Sequence, residues 1–166
     1  NGNFVKNKKG ELVCVNPFPS MPLKFWNDKK DEKFKKAYFN KYKNVWHHGD
    51  YAEIRNSGGF IIYGRSDTTL NPGGVRLGTS EIYSVVENFE EIKESIVVGQ
   101  HWDNDVRIIL FIALNKNFEL NEDLKIKIKK RIRIEASPRH VPSKIITVSD
   151  IPRTKNGKIV ELAVKN

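Results

Sequence analysis

The sequence predicts an α/β protein of the α+β kind: a small domain with a mixed sheet flanked by helices, preceded by the trailing strands of a larger domain. Three observations carry this. From Gly74 onward, short apolar runs alternate with segments of helical spacing, in the order strand, helix, strand, strand, helix, strand. The pattern changes at a turn cluster, Asn71-Pro72-Gly73-Gly74, because glycine pairs adopt backbone angles that other residues resist. Upstream, a hairpin, one further strand and one helix bury too little apolar surface to close a core of their own. The break falls between Gly64 and Thr69, and the segments are set at 1–66 and 67–166.

Residues 10–15 read as a strand, stopped at 16–22, where three prolines in six residues exclude regular helix and central strand. Residues 28–43 are highly charged, with Phe34, Ala37, Tyr38 and Lys41 at helix-compatible spacing, and predict a short surface helix. Residues 50–55 and 60–64 form a hairpin through Asn56-Ser57-Gly58-Gly59. In the second segment, 75–77 reads as a short strand. Ser80 caps a helix whose apolar face is Ile82, Val85, Val86 and Phe89. Residues 95–99 and 106–114 are strands around a polar turn at 101–105. Asn121-Glu122-Asp123 opens a second helix with a cap and an acidic first turn, and Leu124, Ile128 and Ile132 follow at four-residue spacing. Ile126 and Ile134 also fit strand alternation, so that assignment rests on the cap and on length. Residues 144–148 are the last strand.

Composition narrows the function classes. An apolar content of 39% with three tryptophans is enough for a core and argues against disorder. No stretch approaches the ~18 apolar residues of a membrane span, and Asn1-Gly2-Asn3-Phe4-Val5-Lys6 lacks the apolar segment of a signal peptide. The single cysteine, Cys14, excludes an internal disulfide and a cysteine-rich zinc site, and makes a reduced, cytoplasmic setting the expectation. His47, His48, His101 and His140 match no zinc spacing, so no metal site is expected. The net charge of +9 fits a solvated lysine-rich surface, a nucleic-acid binder or a face for a polyanionic small molecule. There is no dense basic tail, zinc-finger spacing or paired-aromatic strand to favour nucleic acid. An asparagine in first position, with this layout, suggests a piece of a longer chain.

Three motifs stand in order along the chain: Trp46-His47-His48-Gly49-Asp50; Gly64-Arg65-Ser66-Asp67 running through Asn71-Pro72-Gly73-Gly74-Val75-Arg76-Leu77-Gly78-Thr79-Ser80-Glu81-Ile82; and Ile151-Pro152-Arg153-Thr154-Lys155-Asn156-Gly157-Lys158. Each alone is a weak pattern. Together, at these separations, they resemble the carboxy-terminal third of the adenylate-forming acyl-CoA synthetases, from about Gly10 to the end. Residues 11–22, Phe25-Trp26-Asn27-Asp28 and 66–74 are most similar to the acetoacetate-activating branch of that family. These are branch markers and not pocket residues.

The resemblance implies a mobile carboxy-terminal lid behind the last strands of a large AMP-binding domain. It also implies an activity: a carboxylate attacks the α-phosphate of ATP, and the CoA thiol then displaces AMP from the acyl adenylate. The substrates would be acetoacetate or a similar short acyl acid, CoA and ATP, with magnesium arriving on the ATP and no prosthetic group. By position, Lys158 matches the adenylation lysine, a flexible ammonium that neutralises charge on the reacting oxygens. Asp50 matches the carboxylate that accepts hydrogen bonds from the ribose diol, and Arg65 a second ribose contact. Asp67 matches the hinge. Gly73 and Gly74 match the stretch beside the pantetheine arm, and Arg76 an arginine that meets the nucleotide phosphate in one lid orientation. Arg133 matches a contact to the CoA phosphates, with Lys129, Lys130 and Arg131 equally plausible donors. Two positions depart from the family pattern. His48 stands where threonine or serine is usual, and Glu161 where many relatives are basic.

The family's phosphate loop and its acidic motif for magnesium and adenine do not occur in these residues, so little or no ligase activity is expected of this chain alone. Its expected partner is the rest of the large domain. Two other classes fit less of the sequence: a free-standing, non-catalytic lid acting with a partner subunit, and a basic nucleic-acid-binding domain. No membrane association is expected.

Overall fold

A computed structural model describes residues 2–165, which divide into two compact units with the boundary between Asp67 and Thr68.

The first unit holds a three-stranded antiparallel sheet in the order β1 (Lys9–Cys14), β2 (Trp46–Ile54), β3 (Phe60–Arg65). β2 is the centre, pairing Lys9 with Glu53 on one side and Asp50 with Arg65 on the other. A short helix, α1 (Glu32–Tyr38), carries aromatic residues onto the start of β2. Tyr38 stacks on Trp46 at 3.7 Å, with Phe18, Phe34 and Phe39 edge-on around it. The helix is much shorter than the 28–43 expected. Asp31 is left-handed (φ 54), so the turn starts after it, and the Asp28 carboxylate accepts from Phe34 N–H at 2.9 Å. No α1 residue is fully buried, so no apolar stripe supports a longer helix.

The second unit is built on a mixed sheet. β4 (Ile92–Trp102) and β5 (Asp105–Leu114) are antiparallel, and β6 (Lys144–Thr147) adds parallel to β5. The β4–β5 turn is two residues, Asp103 (φ 51) and Asn104 (φ 58), tighter than the five-residue turn expected. Both are positive-φ positions that Asp and Asn tolerate and that match strand twist. α2 (Ser80–Val86) and α3 (Glu122–Glu135) cover one face. Period-two alternation divides the strands: Val97, Ile108, Leu110 and Ile112 face the helices, while Ile96, Phe111 and Ala113 face Ile151, Ile159 and Val164 of the tail. Fully burying such a side chain contributes about 1.5–3 kcal/mol, so the two clusters are the main source of stability here. α3 starts as expected, with Asn121 Oδ1 accepting from Leu124 N–H at 2.8 Å, and buries Leu124, Ile128 and Ile132.

Two further local expectations fail. Residues 75–77 do not join the sheet. Gly73 (φ 57) and Gly74 (φ 73) reverse the chain in a 3-10 turn at Pro72–Gly74, so Leu77 returns to Leu70 and the two buried leucines exchange both backbone bonds (2.8 and 3.0 Å). At α2, Thr79 and not Ser80 stands at the cap position and makes no side-chain cap bond. Glu81 instead accepts from Gly78 N–H at 3.0 Å.

Candidate functional site

In the first unit, the β2–β3 register brings Asp50 opposite Arg65 although they are 15 residues apart. The Asp50 carboxylate is held from two directions: His48 Nδ1 lies 2.6 Å from Oδ2, and Arg65 Nη1 lies 3.5 Å from Oδ1. Arg65 also donates to the His48 carbonyl (3.3 Å) and approaches Asp67 (3.6 Å). This guanidinium lies over Gly49, whose φ is +87. A Cβ there would come within 2.7 Å of Arg65 Nη2. Glycine at 49 is thus required twice, for the backbone angle and for the close approach. The result is a partly buried, oriented carboxylate beside an exposed guanidinium, a pair suited to a vicinal diol.

Behind this pair sits a feature that sequence reasoning missed. Glu11 on β1 bonds to Lys41 Nζ (2.7 Å), His47 Nε2 (3.1 Å) and the Ser66 hydroxyl, tying the end of β3 back to β1. Asp67, the expected hinge, is the last residue of the first unit and is exposed.

In the second unit, the expected residues separate into two groups. At one end of the β4–β5 hairpin, Gly73 N–H is held between the oxygens of Asp105 (2.9 and 3.0 Å), and Gly74 is exposed beside it. Bonds from Val106 and Gly73 N–H keep the Asp105 carboxyl below its usual range. Arg107 stacks on Trp102 at 3.8 Å and, with Arg139 and Ser143, lines a recess beside Pro72. No motif marked these residues: Trp102 and Arg107 flank the hairpin turn, while Arg139 and Ser143 come from the segment that leads into β6. Arg76 donates to Thr69 Oγ1 at 3.1 Å. Arg133 is exposed in the last turn of α3.

At the other end of β4 is Lys158. It is exposed, at the closing end of a tight turn in which Gly157 (φ +83) donates to Thr154 O (2.9 Å) and Lys158 N–H to Thr154 Oγ1 (3.1 Å). Arg153 and Ile159 form the bridge at its base, and Arg153 reaches Glu94 of β4 at 2.7 Å. Glu94 and Trp102 are eight residues apart on one strand, a rise of about 26 Å, so the lysine turn and the Gly73 turn attach near opposite ends of the β4–β5 hairpin. Among the described residues no group of three or more His, Cys, Asp and Glu side chains is gathered to hold a metal ion, and no helix is long and apolar enough to cross a membrane.

Comparison with known proteins fits this geometry. Residues 81–158 match the AMP-binding enzyme C-terminal domain. The chain is 58% identical over 165 residues to acetoacetyl-coenzyme A synthetase of Rhizobium meliloti and 50% over 166 to acetoacetyl-CoA synthetase of Xenopus tropicalis. In both, 99% of this chain is aligned but only 25% of the relative. A solved acetoacetyl-CoA synthetase from Streptomyces lividans superposes with a TM-score of 0.93 at 43% identity, over 99% of this chain and 24% of that one. The chain thus spans about a quarter of the length of the relatives it matches. Residues 81–158 thus carry the carboxy-terminal domain of AMP-binding enzymes, and over nearly its whole length the chain is similar to a quarter of the length of the acetoacetyl-CoA synthetases it matches.

Proposed function

We propose that this chain is part of an ATP-dependent acid–CoA ligase that converts acetoacetate to its CoA thioester through an acyl adenylate, releasing AMP and pyrophosphate. On this reading residues 1–66 are the last strands of the large nucleotide-binding domain and 67–166 are the lid. Asp50 and Arg65 hold the ribose, and Lys158 supplies positive charge to the substrate carboxylate and the α-phosphate as they join. Gly73, Gly74 and Arg133 lie along CoA, and Arg76 meets the nucleotide phosphate. The rest of the large domain supplies the phosphate loop, so the chain alone is inactive.

The observation that carries the reading is Lys158: an exposed ammonium on a turn whose base is clamped to the sheet by Arg153 and Glu94. The separation along β4 supports the two-step chemistry. One small lobe with its lysine turn and its paired glycines fastened near opposite ends of the β4–β5 hairpin presents them to a single centre only in turn, by rotating about Asp67. The test is Lys158→Ala in the complete synthetase. Adenylation, followed as ATP–pyrophosphate exchange, should fall by at least ~10²–10³-fold. Thioester formation from supplied acetoacetyl adenylate should persist. Survival of both half-reactions would remove the assigned role.

A further inference from the structure

The turn that carries Lys158 is fastened on its far side as well as its near one. Glu161 opens α4 (Glu161–Lys165) and accepts a hydrogen bond from the Tyr83 hydroxyl at 2.6 Å. Tyr83 belongs to α2, and its oxygen accepts in turn from Val97 N–H at 3.1 Å. Among the described residues β4 pairs only with β5, and that N–H points to its other side. One run of bonds therefore joins the tail, α2 and β4. A short O–H···O⁻ contact at a half-buried position is among the stronger hydrogen bonds in a protein. Burial, and then the Glu161 charge, raise the Tyr83 pKa above its ordinary 10.0, so the phenol keeps the proton it donates. A basic side chain at 161 has no acceptor for it.

Only Ile159 and Val160 separate Lys158 from this anchor, and Ile159 packs against Ile96 and Ala113. With Arg153 clamped to Glu94 before the turn and Glu161 to Tyr83 after it, the ammonium has a fixed base on both limbs. We propose that Glu161 and Tyr83 are positioning residues for the adenylation step, setting where the turn presents Lys158. This rests on the reading of Lys158 given above. An error of about 1 Å in the placement of a reacting group can cost 10²-fold in rate, so a side chain three residues away that sets this placement governs the rate.

The experiment compares Tyr83→Phe, Glu161→Ala, Glu161→Gln and the double Tyr83→Phe/Glu161→Ala in the complete synthetase, with Lys158→Ala as reference. Adenylation should fall about 10- to 100-fold in Tyr83→Phe and Glu161→Ala, with thioester formation from supplied adenylate within about twofold of wild type. Glu161→Gln should recover part of the loss, because its amide oxygen still accepts the phenolic proton. The double variant should be no worse than the worse single. Parallel loss of both half-reactions would mean a purely structural role and overturn the proposal. Unchanged adenylation in both singles, while Lys158→Ala abolishes it, would overturn it equally. If Lys158→Ala itself leaves adenylation intact, the reading of the lysine falls, and this inference with it. Amide hydrogen exchange on the 166-residue chain gives a readout free of catalysis. The Gly157 and Lys158 amides should exchange faster in Tyr83→Phe and Glu161→Ala, with β5 unchanged, and unaltered exchange would overturn the proposal.

Discussion

Replacing Gly49 by alanine separates two costs that the structure combines at one residue. The first is the backbone angle: at φ +87 any side chain is strained, and an L-residue in the left-handed region costs roughly 1–2 kcal/mol. The second is steric, since the new methyl would meet Arg65 at 2.7–3.0 Å and push the guanidinium off Asp50 and the His48 carbonyl. Gly58 supplies the control. Its φ is +86, almost the same, yet nothing lies within 4 Å of an added Cβ. Gly58→Ala should therefore report the backbone term alone. Arg65 is more than half exposed, so its displacement adds only ~0–1 kcal/mol to stability. Its effect on function should be larger. On the proposed reading of Arg65 as a ribose contact, losing that oriented charge should weaken nucleotide binding by about tenfold, or ~1.4 kcal/mol. Urea unfolding of the chain, followed by fluorescence of buried Trp46, measures the first quantity, and KM for ATP in the complete synthetase the second. Equal stability loss and equal KM in the two variants would refute the argument that Gly49 exists to seat Arg65.

Two further outcomes follow from the second unit. Asn121→Ala removes the side-chain acceptor for Leu124 N–H and should lower stability by about 0.5–2 kcal/mol, seen as a reduced urea midpoint with an unchanged denaturant slope. Asp105 has a folded-state pKa below its unfolded one, so its contribution is present above the ordinary value of 3.8 and is lost as pH falls through the lower folded value. Asp105→Asn should flatten that part of the Tm-against-pH curve and leave the curve above pH ~5 parallel to wild type. An unaltered acid limb would show that the carboxylate does not hold Gly73.

Much of the fold was legible because its signals are local. Asn121 caps α3 from three residues away, and Leu124, Ile128 and Ile132 repeat on one face. The sheet strands announced themselves by alternation, as Ile108, Leu110 and Ile112 do against Phe111 and Ala113. Failures came where one backbone angle decides the path. Nothing in residues 75–77 tells a strand from the return leg of a turn; the angles at Gly73 and Gly74 do. Nor does a charged run tell where α1 begins, which Asp31 settles. Of the candidate site, family motifs named Asp50, Arg65 and Lys158 but not what surrounds them. Asp50 and Arg65 meet only through β2–β3 pairing, which slips register between Tyr51 and Ala52. Glu161 stood out in the sequence as a departure, yet its partner lies 78 residues earlier, where no local pattern could point to it.

The position of β4 at the margin of its sheet has a consequence for solubility. A strand with one side unpaired offers its N–H and C=O groups to any passing extended chain, and an apolar one such as Ile96-Val97-Val98 invites self-association. Here the Tyr83 hydroxyl takes up the Val97 N–H, and the closing helix lies alongside the same strand. The tail thus serves as a guard rail against intermolecular sheet growth.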